Sequence, residues 1–257
     1  MKLHYKSFGE GGTPLFILHG LLGSLDNWMT VGRKLSQHRR VILADARNHG
    51  KSPHDIDAGY LVMAADVNDL MDTIEIQQAD ILGHSMGGKT AMTFSLIFPE
   101  RINKLIVTDI APRYYTGSHA KIFYAMINAP LEQIKDRKAL EEYFIQAIPS
   151  EAVRMFIMKN LTRGEDGCYY WRPDIQVLWS QYEKLMGFPF IPGEKSTKSN
   201  VLWIRGQLSD YILPSDEEVM RSFFPNYNLV TISGAGHWVH ADQPYLFSEA
   251  VEDFLSS

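Results

Sequence analysis

Short apolar runs that end in turn residues alternate along this chain with longer stretches whose apolar positions recur at helical spacing. Such alternation is expected of strands and crossover helices in an α/β protein with a mostly parallel sheet. The runs LFILHG (15–20), RVILADARNHG (40–50), ADILGHS (79–85), KLIVTDIAP (104–112), NVLWIRG (200–206) and NLVTISGAGH (228–237) each read as a buried strand leading into a polar loop. KLHYKSF at the N-terminus predicts a seventh strand, at a sheet edge. Val67, Leu70, Met71 and Ile74 follow i, i+3, i+4, i+7, as do Phe247, Ala250, Val251 and Phe254, so each set predicts a helix with one buried face. Pro244 suits the first turn of the second helix, where a missing N–H loses nothing. A further helix is expected through KTAMTFSLIF, stopping before Pro99.

Residues 112–199 interrupt this alternation. They are rich in aromatics, carry helical stretches such as LEQIKDRKALEEYFIQAI, and show no clear strand. The pattern therefore predicts a core made of residues 1–111 and 200–257, with a helical cap, 112–199, inserted between two sheet strands. No internal repeat or low-complexity tract is visible.

Composition narrows the function classes. At 257 residues the chain suffices for one large domain with an insertion. Hydrophobic residues at 45% and charged residues at 21% are ordinary for a globular protein, and a net charge of -5 gives no electrostatic reason to approach nucleic acid or an anionic membrane. The N-terminus lacks the apolar core of a signal peptide, and no run approaches the ~20 apolar residues that span a bilayer, so a cytoplasmic address is expected. Cys168 is the only cysteine, which rules out an internal disulfide or a cysteine-rich metal site; with no base near it, a structural role is expected. The expected partner is a small molecule, and the oligomeric state is left open.

The chemistry is carried by GHSMGG, residues 83–88. ADIL reads as a strand before it and GGKTAMTF as a helix after it, so the G-x-S-x-G set Gly83, Ser85, Gly87 occupies a strand-to-helix corner suited to a nucleophile. Glycines fit there because neighbouring backbone comes too close for a Cβ. A serine hydroxyl needs a base to remove its proton. His237, in GAGHWVH after the last strand, is the best placed of nine histidines; His240 is read as a core or surface residue and His84 as packing, while His4, His38, His54 and His119 are expected to be solvated. Attack on a carbonyl generates an oxyanion, for which the N–H groups of Met86 and of Leu21, in LHGLLGS, are the candidate donors.

A histidine base needs a carboxylate to fix its tautomer. Two aspartates qualify, Asp109 in VTDIAP and Asp210 in RGQLSDYILP, at the ends of different strands. Asp45 and Arg47 are read as structural, and Arg47, Asn48 and His49 as a turn that braces loops near the site. Tyr114, Tyr115, Phe123, Tyr124, Trp171 and Trp179 in the cap are candidates to line an apolar acyl pocket, against the alternative that they form the insertion's own core.

With these residues in hand, the chain resembles the α/β-hydrolase superfamily over essentially its whole length, and more narrowly the YbfF-like bacterial esterases and their eukaryotic relatives. HGLLGS (19–24), DARNHGKS (45–52), GHSMGGK (83–89), DIAP (109–112) and GAGHWVHAD (234–242) carry the resemblance. It implies hydrolysis of small or medium carboxylic esters, or of acyl-CoA thioesters, through a Ser-His-Asp triad and an acyl-enzyme, without metal or cofactor. In that branch the DIAP aspartate serves the triad, which points to Asp109, whereas the wider superfamily favours the position of Asp210. The scaffold also hosts non-catalytic ligand-binding proteins and perhydrolase or lyase variants, which stand as the alternatives.

Overall fold

The computed structural model describes residues 1–117, 119–134 and 136–257. The remaining two, Ser118 and Lys135, both fall in the segment expected to form a cap, and Lys135 falls within the stretch LEQIKDRKALEEYFIQAI.

Nine strands are found among the described residues: β1 (Tyr5–Phe8), β2 (Leu15–Leu18), β3 (Val41–Ala44), β4 (Ala79–His84), β5 (Ile102–Thr108), β6 (Leu161–Arg163), β7 (Tyr169–Trp171), β8 (Asn200–Gly206) and β9 (Tyr227–Ile232). The helices are α1 (Met29–Leu35), α2 (Tyr60–Thr73), α3 (Met86–Ile97), α4 (Ala120–Ile127), α5 (Arg137–Ala147), α6 (Glu151–Met158), α7 (Ile175–Ser180), α8 (Tyr182–Met186), α9 (Glu217–Phe223), α10 (Val239–Asp242) and α11 (Pro244–Ser256). Seven strands make one sheet in the order β1-β3-β2-β4-β5-β8-β9. All neighbours pair in parallel except the edge strand β1, which runs antiparallel to β3.

Period-two alternation divides the core. Phe16 and Leu18 point to one face, where Val67 and Leu70 of α2, Phe94 of α3 and Phe223 of α9 cover them. Leu15 and Ile17 point to the other, under Val31 and Leu35 of α1 and Phe247 and Val251 of α11. Because both faces are covered, β2, β3 and β4 are buried at every position. α11 starts at Pro244, and α3 ends one residue before Phe98, ahead of Pro99. No helix among the described residues is long and apolar enough to cross a membrane.

Between β5 and β8 the chain builds most of a third cluster, in which Phe123 of α4, Leu140 and Phe144 of α5, Ile157 of α6 and Leu178 of α7 pack together and are joined by Leu22, by Tyr60 and Met63 of α2 and by Met86 of α3. Two features differ from the sequence reading. LEQIKDRKALEEYFIQAI is not helical from its start: α5 begins after Asp136, whose side chain caps it by accepting from Ala139 N at 2.9 Å. The segment also contains strands, the hairpin β6–β7. Three-residue strands around a Gly164–Gly167 turn are too short to show an alternating pattern.

Candidate active site

The chain leaves β2, goes to β3 on one side, and returns through α2 to β4 on the other. The sheet order therefore reverses at β2 and β4, which opens a crevice beyond their carboxyl ends. Leu18 pairs with Gly83, so the loop after β2 and the turn after β4 emerge side by side.

Ser85 occupies that turn with φ 52° and ψ -116°, between β4 and the first residue of α3. A non-glycine residue at positive φ is strained and must be held by its surroundings. The neighbouring glycines allow it. A Cβ on Gly83 would collide with Gly87 O, and one on Gly87 with Leu18 O, so β4, α3 and β2 approach this closely only because both positions lack side chains.

β5 ends at Thr108, and Asp109 follows it with φ 51° and no solvent exposure. Its Oδ2 lies 2.8 Å from His237 Nδ1, Gly206 N donates to its Oδ1 at 3.0 Å, and Ser209 Oγ donates to Oδ2. With Nδ1–H directed to Asp109, the neutral His237 ring carries its lone pair on Nε2. Tyr211 stacks on that ring with centroids 3.7 Å apart. His84 supports the same loop from below, its Nε2 2.9 Å from His237 O, and burial followed by the nearby His237 and His240 holds its own pKa well below the usual histidine range. His240 is buried and stacks on Trp28 at 3.9 Å. Asp210 is exposed and lines a cavity wall, whereas Asp109 is the carboxylate at the His237 ring.

Two cavities meet at Ser85. The larger, about 710 Å³, is bounded by Ser85, His237, Ile122, Val153, Phe156 and Trp238 among others. The smaller, about 350 Å³, is bounded by Ser85, Met86, Lys89, Arg113, Tyr115 and Asp210 among others. Leu21, His119 and Tyr211 border both.

Of the six aromatics suggested by the sequence, Tyr115 lines the smaller cavity. The other five do not border either cavity. Phe123 is wholly buried in the cluster between β5 and β8, and Trp171 packs against that cluster with its Nε1 on Met126 O at 3.0 Å. Tyr114 and Trp179 are half exposed, the first donating to Glu183, and Tyr124 is 72% exposed. A helix as short as α4 has one apolar stripe, and here it serves the segment's own core.

His119, expected to be solvated, instead borders both cavities, and burial together with His237 pushes its pKa down to about 4. Lys89 also escaped the sequence reading. It lies one turn into α3, buried, with Nζ donating to Met186 O at 2.8 Å and Gly187 O at 2.6 Å. Burial, then Arg113, lowers it to about 7. A charged residue directly after the glycines of the turn was its only signal. Cys168 is exposed on the β6–β7 hairpin.

Asp45 receives Leu25 N and Lys51 N at 2.8 and 2.9 Å, while Arg47 forms a bidentate pair with Asp66 at 2.6 and 2.8 Å. His49 receives Leu22 N at 3.1 Å. The Leu25–Asp45 and Leu22–His49 contacts hold the loops after β2 and β3 to each other, and the Arg47–Asp66 pair holds the second of them to α2. No group of three or more His, Cys, Asp or Glu side chains among the described residues is arranged to hold a metal ion.

Comparison with known proteins gives consistent matches. A family model described as alpha/beta hydrolase fold matches residues 13–130. Esterase YbfF of Escherichia coli (strain K12) is 37% identical over 96% of this chain and 94% of its own length. The sn-1-specific diacylglycerol lipase ABHD11 of Mus musculus is 35% identical over 96% of this chain and 83% of its own. Among solved structures, a marine microorganism esterase superposes with a TM-score of 0.95 at 39% identity, covering 98% of this chain and 99% of that one.

Proposed function

The chain belongs to the α/β-hydrolase family and is a carboxylic ester hydrolase, and from that premise we propose that it cleaves small or medium acyl esters through an acyl-enzyme on Ser85, with His237 as base and Asp109 as the triad acid. Ser85 Oγ attacks the acyl carbonyl while His237 Nε2 takes its proton, then returns it to the departing alcohol. Water repeats the sequence and releases the acid. The N–H groups of Leu21 and Met86 hold the oxyanion at the carboxyl ends of β2 and β4. Asp109 keeps the proton of the neutral ring on Nδ1 and stabilises the imidazolium that forms.

The observation that carries this reading is the 2.8 Å contact from His237 Nδ1 to a fully buried carboxylate, on a histidine that shares a cavity with the strained Ser85. In this reading residues 1–111 and 200–257 are the hydrolase core and 112–199 its cap. The larger cavity, walled by Ile122, Val153, Phe156 and Trp238, takes the acyl chain, and the smaller, more polar one takes the leaving group. Both volumes lie in the ~300–1,000 Å³ range of small-molecule sites. A thioester presents the same carbonyl to the same groups, so acyl-CoA thioesters fall within the proposal.

The test is a panel of p-nitrophenyl esters from acetate to decanoate, with matching acyl-CoA thioesters. Turnover that rises toward medium chains and falls by about 10⁶ in Ser85→Ala is expected. A wild-type protein inert toward every ester would overturn the proposal.

A further inference from the structure

Leu22 follows the proposed oxyanion donor Leu21, and its backbone is held from two directions. It is buried with φ 59°, a conformation unfavourable for a side chain branched beyond Cβ unless external contacts fix it. Its N–H donates to His49 Nε2 at 3.1 Å, and His49 Nδ1 lies 2.9 Å from Arg47 O, so the ring proton sits on Nδ1 and Nε2 is free to accept. Its carbonyl accepts from Asn160 Nδ2 at 2.7 Å. Asn160 is only 4% exposed and stands between α6 and β6, in the segment read above as the cap. Its own backbone is fixed there, by Asn160 N on Ile157 O and by Arg172 N on Asn160 O, each 3.0 Å.

Planar trans peptides connect this contact to the donor. Leu22 C=O and Gly23 N–H belong to one peptide unit and point in opposite directions. While Asn160 grips the oxygen, the hydrogen faces back, and Gly23 N donates to Gly20 O at 2.9 Å. Gly20 O and Leu21 N–H belong to a second peptide unit. Its oxygen is held by Gly23 N and by His19 Nδ1 at 2.8 Å, so its N–H is turned the opposite way.

We infer that Asn160 is a positioning residue for the proposed reaction: by fixing the Leu22–Gly23 peptide it orients the Leu21 N–H, and the oxyanion hole is therefore complete only while the cap is seated on the core. The inference rests on the reading of Leu21 N–H as an oxyanion donor. It assigns the cap a part in the chemical step besides enclosing substrate.

The experiment compares wild type with Asn160→Asp, an isostere that cannot donate when ionised, in p-nitrophenyl butyrate turnover and in inhibition by an alkyl trifluoromethyl ketone and by butyrate. The ketone adds to the serine as a tetrahedral oxyanion; butyrate is the ground-state product. A fall in kcat of about 10- to 1,000-fold with KM held is expected, the upper end being the loss of a whole oxyanion donor. The ketone should weaken by the same factor while butyrate binds as before, and Asn160→Gln, which keeps an amide donor, should recover part of the loss. If Asn160→Asp does not fold, Asn160→Ser carries the same comparison. A folded variant with kcat within about twofold of wild type, or one that loses kcat without weakening the ketone, overturns the inference and leaves the triad untouched. A wild-type protein without turnover would instead remove the reading on which it rests.

Discussion

Asp109 and His237 meet at 2.8 Å although 128 residues separate them in the chain. The contact is made because β5 and β9 end at the same edge of the sheet, with the end of β8 between them supplying Gly206 N, and the loop after it Ser209 Oγ, to the carboxylate. Asparagine at 109 would offer the ring an amide in place of a carboxylate and fix the wrong tautomer. Asp109→Asn is therefore expected to lower kcat on the order of 10⁴-fold, while Asp210→Asn, at an exposed cavity wall, keeps most of its turnover. Steady-state ester hydrolysis of the two variants checks this; a larger loss in Asp210→Asn would transfer the acid's role.

With the acyl chain in the larger cavity, as proposed, that cavity sets the chain-length preference. Val153 and Ile122 line it without belonging to the proposed triad or oxyanion hole. Val153→Trp removes room for about two methylenes, each worth about 0.8 kcal/mol, so kcat/KM for octanoate relative to acetate is expected to fall by about tenfold. An unchanged ratio would place the acyl chain in the other cavity.

Stability should depend steeply on the pair between Arg47 and Asp66, whose side chains are 8% and 2% exposed. Asp66→Ala leaves the buried guanidinium with only Asp57 O at 2.9 Å and the exposed Asp55 carboxylate at 3.5 Å, and is expected to cost about 3 kcal/mol in urea unfolding. Replacing both partners, as in Arg47→Met with Asp66→Leu, leaves no such charge and should cost less than the single change. A double variant weaker than Asp66→Ala would contradict this.

The buried histidines set the acid limb. Burial, then His237 and Lys159, push His240 down to about 3, and His49 is likewise lowered to about 3 by burial and then His19. Between pH 6.5 and 3 the unfolded chain binds a proton at each of these sites and the folded chain does not, so their contribution is intact above pH 6.5 and is lost as the pH falls. His240→Phe keeps a ring on Trp28 and removes the titrating group. Its unfolding free energy should fall less steeply from pH 6 to pH 4, by about 1.4 kcal/mol per pH unit. Parallel wild-type and variant curves would show that His240 is not held neutral.

Much of this was legible in the sequence where local pattern and local geometry coincide. A strand, a G-x-S-x-G turn and a helix in succession define the conformation of Ser85, since the close approach of Gly83 to Gly87 O is a short-range requirement, whereas that of Gly87 to Leu18 O needs the sheet to be assembled. The choice between Asp109 and Asp210 lay beyond it. β5 and β8 are adjacent, with Thr108 paired to Ile204, so both aspartates follow strands at the same edge, and burial and direction distinguish them only in three dimensions. The segment between β5 and β8 was harder still. Its short helices give Phe123 and Tyr124 equal apolar standing, yet one lies in the segment's core and the other in solvent. His119 and Asn160 sit in no motif, because what matters about them is what they face across the boundary between that segment and the sheet.

The most direct measurement is the intact mass of the protein after incubation with a fluorophosphonate probe, followed by peptide mapping. One adduct per chain is expected, on the peptide containing Ser85, and none on Ser85→Ala. A wild-type chain that takes no adduct, or an adduct that persists in Ser85→Ala, would contradict the account.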